Sequence, residues 1–333
     1  MQNDTQTTAE FTFDGFLFGH GDQVTSIVSG TTDDASDDTI LVSGSRDKTL
    51  IIWNLNTTEA SNEFGIPYKC LTGHNHFVTD LTISNDNCYV ISSSWDKTLR
   101  LWDIRYGRCM ERFVGHTKEI HSVTFSSDNR QIFSGGSEKN IRIWNTLGEC
   151  KVKSDHNNHT NWVSKIRYSS SGKNIYYASV GRDGRLKIWN GIFKLHASIK
   201  AHENYINALA LSTNGQYIAT GGKDKTVKIW NYTDLTAPTQ EYKTESVVND
   251  LAFNTKFQWI AAALENKILI WDIMNKDGTP FIDLEPEALP GADEGAVKPK
   301  CTCLAWSSNR QRLYVGCNDG VIRVYSINIS TAD

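Results

Sequence analysis

Seven times along the chain an acidic residue stands six positions before an aromatic one. The acids are Asp47, Asp96, Glu138, Asp183, Asp224, Glu265 and Asp319. Their aromatics are, in the same order, Trp53, Trp102, Trp144, Trp189, Trp230, Trp271 and Tyr325. The aromatics fall 41 to 54 residues apart, and four of the six intervals lie between 41 and 45. Self-similarity at such a period marks a repeat architecture, whose units bury their apolar faces only against neighbours. A length of 333 residues would otherwise suggest two domains. The repeat makes the chain one object, with its function on surfaces rather than in a pocket.

Within a unit, short apolar–polar alternations are broken by turn residues. The second unit shows the pattern: Gly73-His74, then residues 77–83, a turn at 85–87, then 89–92, Asp96, and Leu99 to Trp102. A fourth strand follows at 110–114, before Gly115-His116. Four strands per unit at this period indicate an all-β, seven-bladed propeller. After residue 327 only six residues remain, too few for the last strand of blade seven. Phe11–Phe13 and Phe16–Phe18 are available to supply it, closing the ring and removing two exposed sheet edges. This predicts a disordered N-terminus over 1–10, a single propeller over 11–327 and a tail over 328–333. Truncating 11–18 should do far more damage than truncating 1–9. Two irregular segments remain: a polar acidic loop at 30–39, and an insertion at 277–300, rich in Pro and acid, between blades six and seven.

Recurrent polar residues accompany the aromatics. His20, His74, His116, His159 and His202 precede Trp53, Trp102, Trp144, Trp189 and Trp230 by 28 to 33 residues. Ser43, Ser92, Ser134, Ser179 and Thr220 precede the same five by ten. A buried chain of Trp N–H, hydroxyl, imidazole and carboxylate would satisfy every polar group in it. The last two blades lose both members together: Ala261 and Val315 replace the hydroxyl, and no His stands upstream. Losing both avoids the cost of about 1–3 kcal/mol for an orphaned partner. A Ser, a His and an Asp per blade also resemble a hydrolase triad, but five copies, each tied to a Trp and without a G-x-S-x-G elbow, read as a structural staple. No phosphate loop, dinucleotide fingerprint or zinc-protease motif occurs, so neither an enzyme nor a cofactor is expected.

The seven cysteines are scattered and form no C-x-x-C, which points to reduced thiols and no metal site. There is no secretory segment and no apolar run long enough to span a membrane. Net charge is −4, but residues 1–45 carry eight acids and 277–294 carry six, with no Lys or Arg in either. The remaining 24 acids face 34 bases, leaving 34 − 24 = +10 on the body. Such a distribution suits a polyanionic partner. The turn acid should place its flanking residues on one face of the disc. Before it stand Arg46, Trp95, Ser137, Arg182, Lys223, Leu264 and Asn318; after it stand Lys48, Lys97, Lys139, Gly184, Lys225, Asn266 and Gly320. Bases suited to phosphate thus share a rim with Trp95, which either anchors a protein partner or packs against the next blade.

The Gly-His and Trp-Asp punctuation is similar to that of WD-repeat proteins. Further, Ser43-Gly-Ser-Arg-Asp-Lys-Thr-Leu-Ile-Ile-Trp53 resembles the first blade of the receptor-for-activated-C-kinase family, a Gβ-like ribosomal scaffold. So do residues 113–118, 128–132, 144–151 and 301–306, and the likeness runs in register from about 16 to 327. The resemblance implies a noncatalytic cytoplasmic scaffold on the head of the small ribosomal subunit, near the messenger exit. It implies binding to 18S-type rRNA and small-subunit ribosomal proteins, and recruitment of protein kinase C and other signalling proteins. Its RNA-contacting turn falls on Arg46 and Lys48, with Lys97 and Lys139 as weaker candidates; Trp95, Arg182 and Lys223 are candidates for protein contacts. Glu138 and Asn140 depart from the family's Asp-x-Thr turn in blade three. The rival readings are a heterotrimeric G-protein β subunit, which the short polar N-terminus disfavours, and a ubiquitin-ligase adaptor, for which no appended domain is expected.

Overall fold

The computed structural model describes residues 7–31, 39–55, 63–169, 175–254, 256–275, 277–291, 298–309 and 311–331. The described residues form twenty-eight strands and no helix. Strand by strand, the apolar period of two produces antiparallel four-stranded sheets, five of them separate. The other two, blades seven and one, are joined into a single eight-stranded sheet.

The innermost strands are Val24–Thr31, Val78–Ile83, Ile120–Phe125, Val163–Tyr168, Ile206–Leu211, Asp250–Asn254 and Cys301–Trp306. Each packs against the next, and the last packs against the first. Seven hydrophobic clusters fill the seven gaps between neighbouring blades. Trp102, for example, packs among Val42, Leu50 and Ile52 of the preceding blade. Trp189 packs likewise among Phe133, Ile141 and Ile143, and Trp230 among Val180, Leu186 and Ile188. The core is therefore a ring of wedges rather than a centre. No blade can bury its faces alone.

Closure comes from the strand Thr7–Leu17, which pairs antiparallel with Ile322–Thr331 from Thr7↔Thr331 to Leu17↔Ile322. Its end also pairs in parallel with blade one, at Phe16↔Glu63 and Leu17↔Gly65. The pairing reaches further than the sequence indicated. Residues 7–10 belong to the strand rather than to a disordered terminus, and 328–331 belong to its partner rather than to a tail. Each strand supplies the other's missing ladder partners, which apolar patterning alone does not reveal.

The insertion at 277–300 is not an appendage either. Ile282–Leu284 is the outer strand of blade six, paired to Ile268–Asp272. Beyond it the Glu287 carbonyl accepts from Arg323 Nε at 2.6 Å, and the Glu287 N–H donates to the Tyr325 hydroxyl at 3.3 Å. Most of the 30–39 loop, residues 32–38, lies outside the described residues.

Candidate interaction surface

The polar residues of blades one to five meet as the spacing required. In blade two, Trp102 Nε1 donates to Ser92 Oγ at 2.8 Å, Ser92 Oγ lies 2.7 Å from His74 Nε2, and His74 Nδ1 lies 2.8 Å from Asp96. One neutral tautomer satisfies the whole chain: Nδ1–H donates to the carboxylate while Nε2 accepts the hydroxyl proton.

Three other blades repeat the connection. In blade one, Trp53 donates to Ser43 at 2.7 Å, and His20 joins Ser43 to Asp47. In blade four, Trp189 donates to Ser179 at 2.9 Å, and His159 joins Ser179 to Asp183. In blade five, Trp230 donates to Thr220 at 3.0 Å, and His202 joins Thr220 to Asp224. Blade three departs. His116, Ser134 and Trp144 connect likewise, but His116 Nδ1 to Glu138 stretches to 3.4 Å. The longer Glu138 side chain turns to Arg142, at 2.9 and 3.2 Å.

Burial lowers the pKa of His74, His116 and His159, so these rings stay neutral. Burial opposes ionisation of Asp183, yet the His159 hydrogen bond and two backbone N–H groups hold its carboxyl at about 2. Blades six and seven differ. Trp271 remains buried with no hydrogen-bond partner for its N–H, so loss of the network there leaves one orphan rather than none. In blade seven a buried arginine replaces the imidazole: Arg323 grips Asp319 at 2.8 and 3.3 Å.

The acid does more than end a network. Asp96 accepts from the Thr98 N–H and hydroxyl, at 2.9 and 2.6 Å, and from the Asn75 N–H at 3.0 Å. The turn it clamps puts the following residue at positive φ: Lys48 74°, Lys97 70°, Lys139 69°, Lys225 62°. Blades four and seven use Gly184 and Gly320 there, where a Cβ would stand 2.4 Å from the His202 carbonyl and 2.7 Å from the His20 carbonyl. Lys48, Lys97 and Lys139 are exposed, as are Arg46, Arg182 and Lys223. Four flanking positions do not project: Ser137, Gly184, Leu264 and Gly320 are buried, Ser137 against His121 at 3.0 Å.

Of the residues before the acid, Arg46, Trp95 and Arg182 line a central opening that residues of all seven blades surround. In every blade but six the N–H of the residue before the acid donates to the carbonyl three residues after the network histidine or, in blade seven, to the equivalent carbonyl. These bonds are Arg46 to Gln23, Trp95 to Phe77, Ser137 to Glu119, Arg182 to Trp162, Lys223 to Tyr205 and Asn318 to Lys300, at 2.8–3.0 Å. This pairing builds a feature that sequence reasoning missed, an aromatic and cationic arc from blade one to blade five. Arg46 lies over Phe77, which contacts Trp95; Trp95 contacts His121, which stacks on Trp162 at 5.2 Å. Arg182 lies 4.1 Å from Trp162 and 5.4 Å from Tyr205, and Lys223 lies over Tyr205. The signal was present at the third position after the histidines of blades two, four and five, where Phe77, Trp162 and Tyr205 stand. Trp95, at 37% exposure, combines both sequence readings: it touches the next blade and still faces solvent.

Beneath the arc lies another cluster the sequence did not signal. Fully buried Asp80 of blade two meets Lys165 at 3.1 Å and Arg167 at 2.7 and 3.0 Å, both from blade four. Ser122 of blade three also donates to it, at 2.5 Å. Burial pushes the Asp80 carboxyl up, but Arg167 and Lys165 hold it well below the usual range.

Blades, networks and turns together define a WD-repeat β-propeller. The family model described as "WD domain, G-beta repeat" matches residues 11–54, 65–103, 107–145, 150–190, 193–231 and 291–326. The stretch between the last two matches holds the blade that lost its network. The chain is 42% identical to the small ribosomal subunit protein RACK1 of Caenorhabditis elegans, over 96% of this chain and 97% of the relative. It is 44% identical to RACK1 of Drosophila melanogaster, over 95% and 97%. It is 46% identical to the cross-pathway control WD-repeat protein 2 of Flammulina velutipes, over 95% and 97%. The chain belongs to the RACK1 family of WD-repeat proteins.

Proposed function

We propose that the chain is a noncatalytic, cytoplasmic scaffold carried on the small ribosomal subunit. It docks on 18S-type rRNA and neighbouring ribosomal proteins through Arg46 and Lys48, with Lys97 and Lys139 as secondary contacts. The observation that carries this reading is the state of that turn. Arg46 and Lys48 flank a clamped acid, both are exposed, and neither has an ion-pair partner among the described residues. Side chains held apart from carboxylates are ready for phosphate. The printed names of the C. elegans and D. melanogaster relatives favour the ribosomal assignment. Trp95, Arg182 and Lys223 are left for protein partners, among which the family resemblance includes protein kinase C. A noncatalytic role is supported by the serines: Ser43, Ser92, Ser134 and Ser179 are fully buried and saturated with hydrogen bonds, so none is presented as a nucleophile.

The test is a gradient experiment. Wild-type protein should travel with small subunits and leave them as ionic strength rises. Arg46→Glu/Lys48→Glu should remain at the top of the gradient with an unchanged melting temperature. Continued co-sedimentation of the double variant at moderate salt would show that the docking surface is elsewhere.

A further inference from the structure

The chain contains two Asn-Gly pairs, and the fold treats them differently. Asn190-Gly191 leads out of Arg185–Asn190 toward Lys194–Lys200, the third and fourth strands of blade four. Asn214-Gly215 lies in blade five, in the turn between Ile206–Leu211 and Tyr217–Gly222. Such a pair has a reaction of its own. The glycine backbone nitrogen attacks the asparagine Cγ and forms an N–Cγ bond. The Cγ–Nδ2 bond breaks, and the side-chain nitrogen takes the glycine N–H proton and leaves as ammonia. Water then opens the five-membered succinimide at either carbonyl, giving aspartate or isoaspartate. Glycine permits the close approach because it carries no side chain.

In blade five the turn is locked against this step. The buried Gly215 donates its N–H to the Ser212 carbonyl at 2.9 Å, and its own carbonyl accepts from the Tyr176 hydroxyl at 3.1 Å. Asn214 Oδ1 accepts from the Ser212 hydroxyl at 2.7 Å and from the Gln216 N–H at 3.0 Å. Nucleophile and amide must both give up hydrogen bonds before they meet. In blade four neither is held. Gly191 is exposed, its N–H has no hydrogen-bond partner among the described residues, and a Cβ built on it would meet nothing within 4 Å. The Asn190 side chain has one long contact, from the Tyr232 hydroxyl to Oδ1 at 3.4 Å.

We propose that Asn190 is a site of spontaneous modification, converted to aspartate and isoaspartate through the Gly191 nitrogen while Asn214 persists as the amide. The new carboxylate falls opposite Lys194, the cross-strand partner of Asn190. Isoaspartate reroutes the backbone through Cβ, but it does so at the terminal rung, beyond the Tyr177↔Trp189 pair, so the blade keeps its ladder. The strand that carries Asn190 starts beside the Asp183 turn, which puts the pair on the face away from the clamped turns. Water therefore reaches it whether or not those turns are occupied, and the inference does not depend on the function proposed above.

Peptide mapping by mass spectrometry tests the proposal on the full chain, held folded at neutral pH and sampled over time beside the same chain in urea. In the folded chain the peptide containing Asn190 should gain the mass of an acid over an amide, as two species of different retention. Asn214 should react more slowly by about tenfold or more, because its hydrogen bonds must break first. In urea the two sites should react at similar rates, which traces the selectivity to the fold rather than to neighbouring residues. Asn190→Gln, whose six-membered ring closes far less readily, should abolish the product at 190 and leave the melting temperature unchanged. Equal reaction at both sites in the folded chain, the same difference in urea, or an Asn190 amide that persists in the folded chain while the unfolded chain reacts would each overturn the proposal.

Discussion

Ser92 shows how one hydroxyl joins two buried groups, accepting from Trp102 and donating to His74. Ser92→Ala strands both, each at about 1–3 kcal/mol, and a loss of about 2–4 kcal/mol is expected in urea denaturation. The converse is available in blade six, where Trp271 has no partner; there the hairpin is one residue shorter, so Ala262 rather than Ala261 stands in the hydroxyl position, two residues past the Ile260↔Trp271 pair and on the same face as Trp271. Ala262→Ser should raise stability by up to about 1 kcal/mol; a loss would mean that the new hydroxyl finds no acceptor of its own. The histidines set the pH response. His74, His116 and His159 have folded pKa values below the ordinary 6.5, so the unfolded chain binds protons first and stability falls as pH drops below that value. Asp183, held at about 2 against an ordinary 3.8, contributes stability that is present above 3.8 and lost as pH falls toward 2. Melting temperatures should therefore decline in two stages on acidification. A melting temperature constant from neutrality to pH 4 would refute the neutral-imidazole assignment.

Among the elements, the closing strand carries the most weight. Phe16 and Leu17 are buried, at 4% and 0% exposure, and each is worth about 1.5–3 kcal/mol in burial alone. Deleting 7–17 also exposes the edge of Ile322–Thr331. We expect that deletion to abolish cooperative melting and produce aggregates in size-exclusion chromatography; a monomer with wild-type melting would show that the ring does not need its clasp. Because pairing starts at Thr7, removing 1–9 already takes away rungs and should be measurably harmful. That strand's location was legible from its aromatic alternation, but its start was not, since Thr7, Thr8 and Ala9 carry no such pattern. The outer strand of blade six was hidden for a similar reason. Ile282–Leu284 is three residues long among prolines, and only its pairing to Ile268–Asp272 reveals it.

For the molecule as a whole, the exposed bases of the clamped turns are what a polyanion would meet. Phosphate docking through Arg46 and Lys48 predicts a linear fall of log affinity with log salt, and removing both bases should lessen the slope by about one to two units. An unaltered slope would mean that these bases do not meet phosphate. The seven-fold ring, its clasp and the networks of five blades were readable from the chain, because period, apolar alternation and fixed spacings are local properties that nearly every blade repeats. What the tertiary structure alone decided lies between blades and in the substitutes within them. Asp80 finds Lys165 and Arg167 from 85 and 87 positions away, Arg323 takes the histidine's part in blade seven, and the stacked arc assembles around the mouth. Contacts across blade boundaries depend on how the wedges pack, and no spacing along the chain records that.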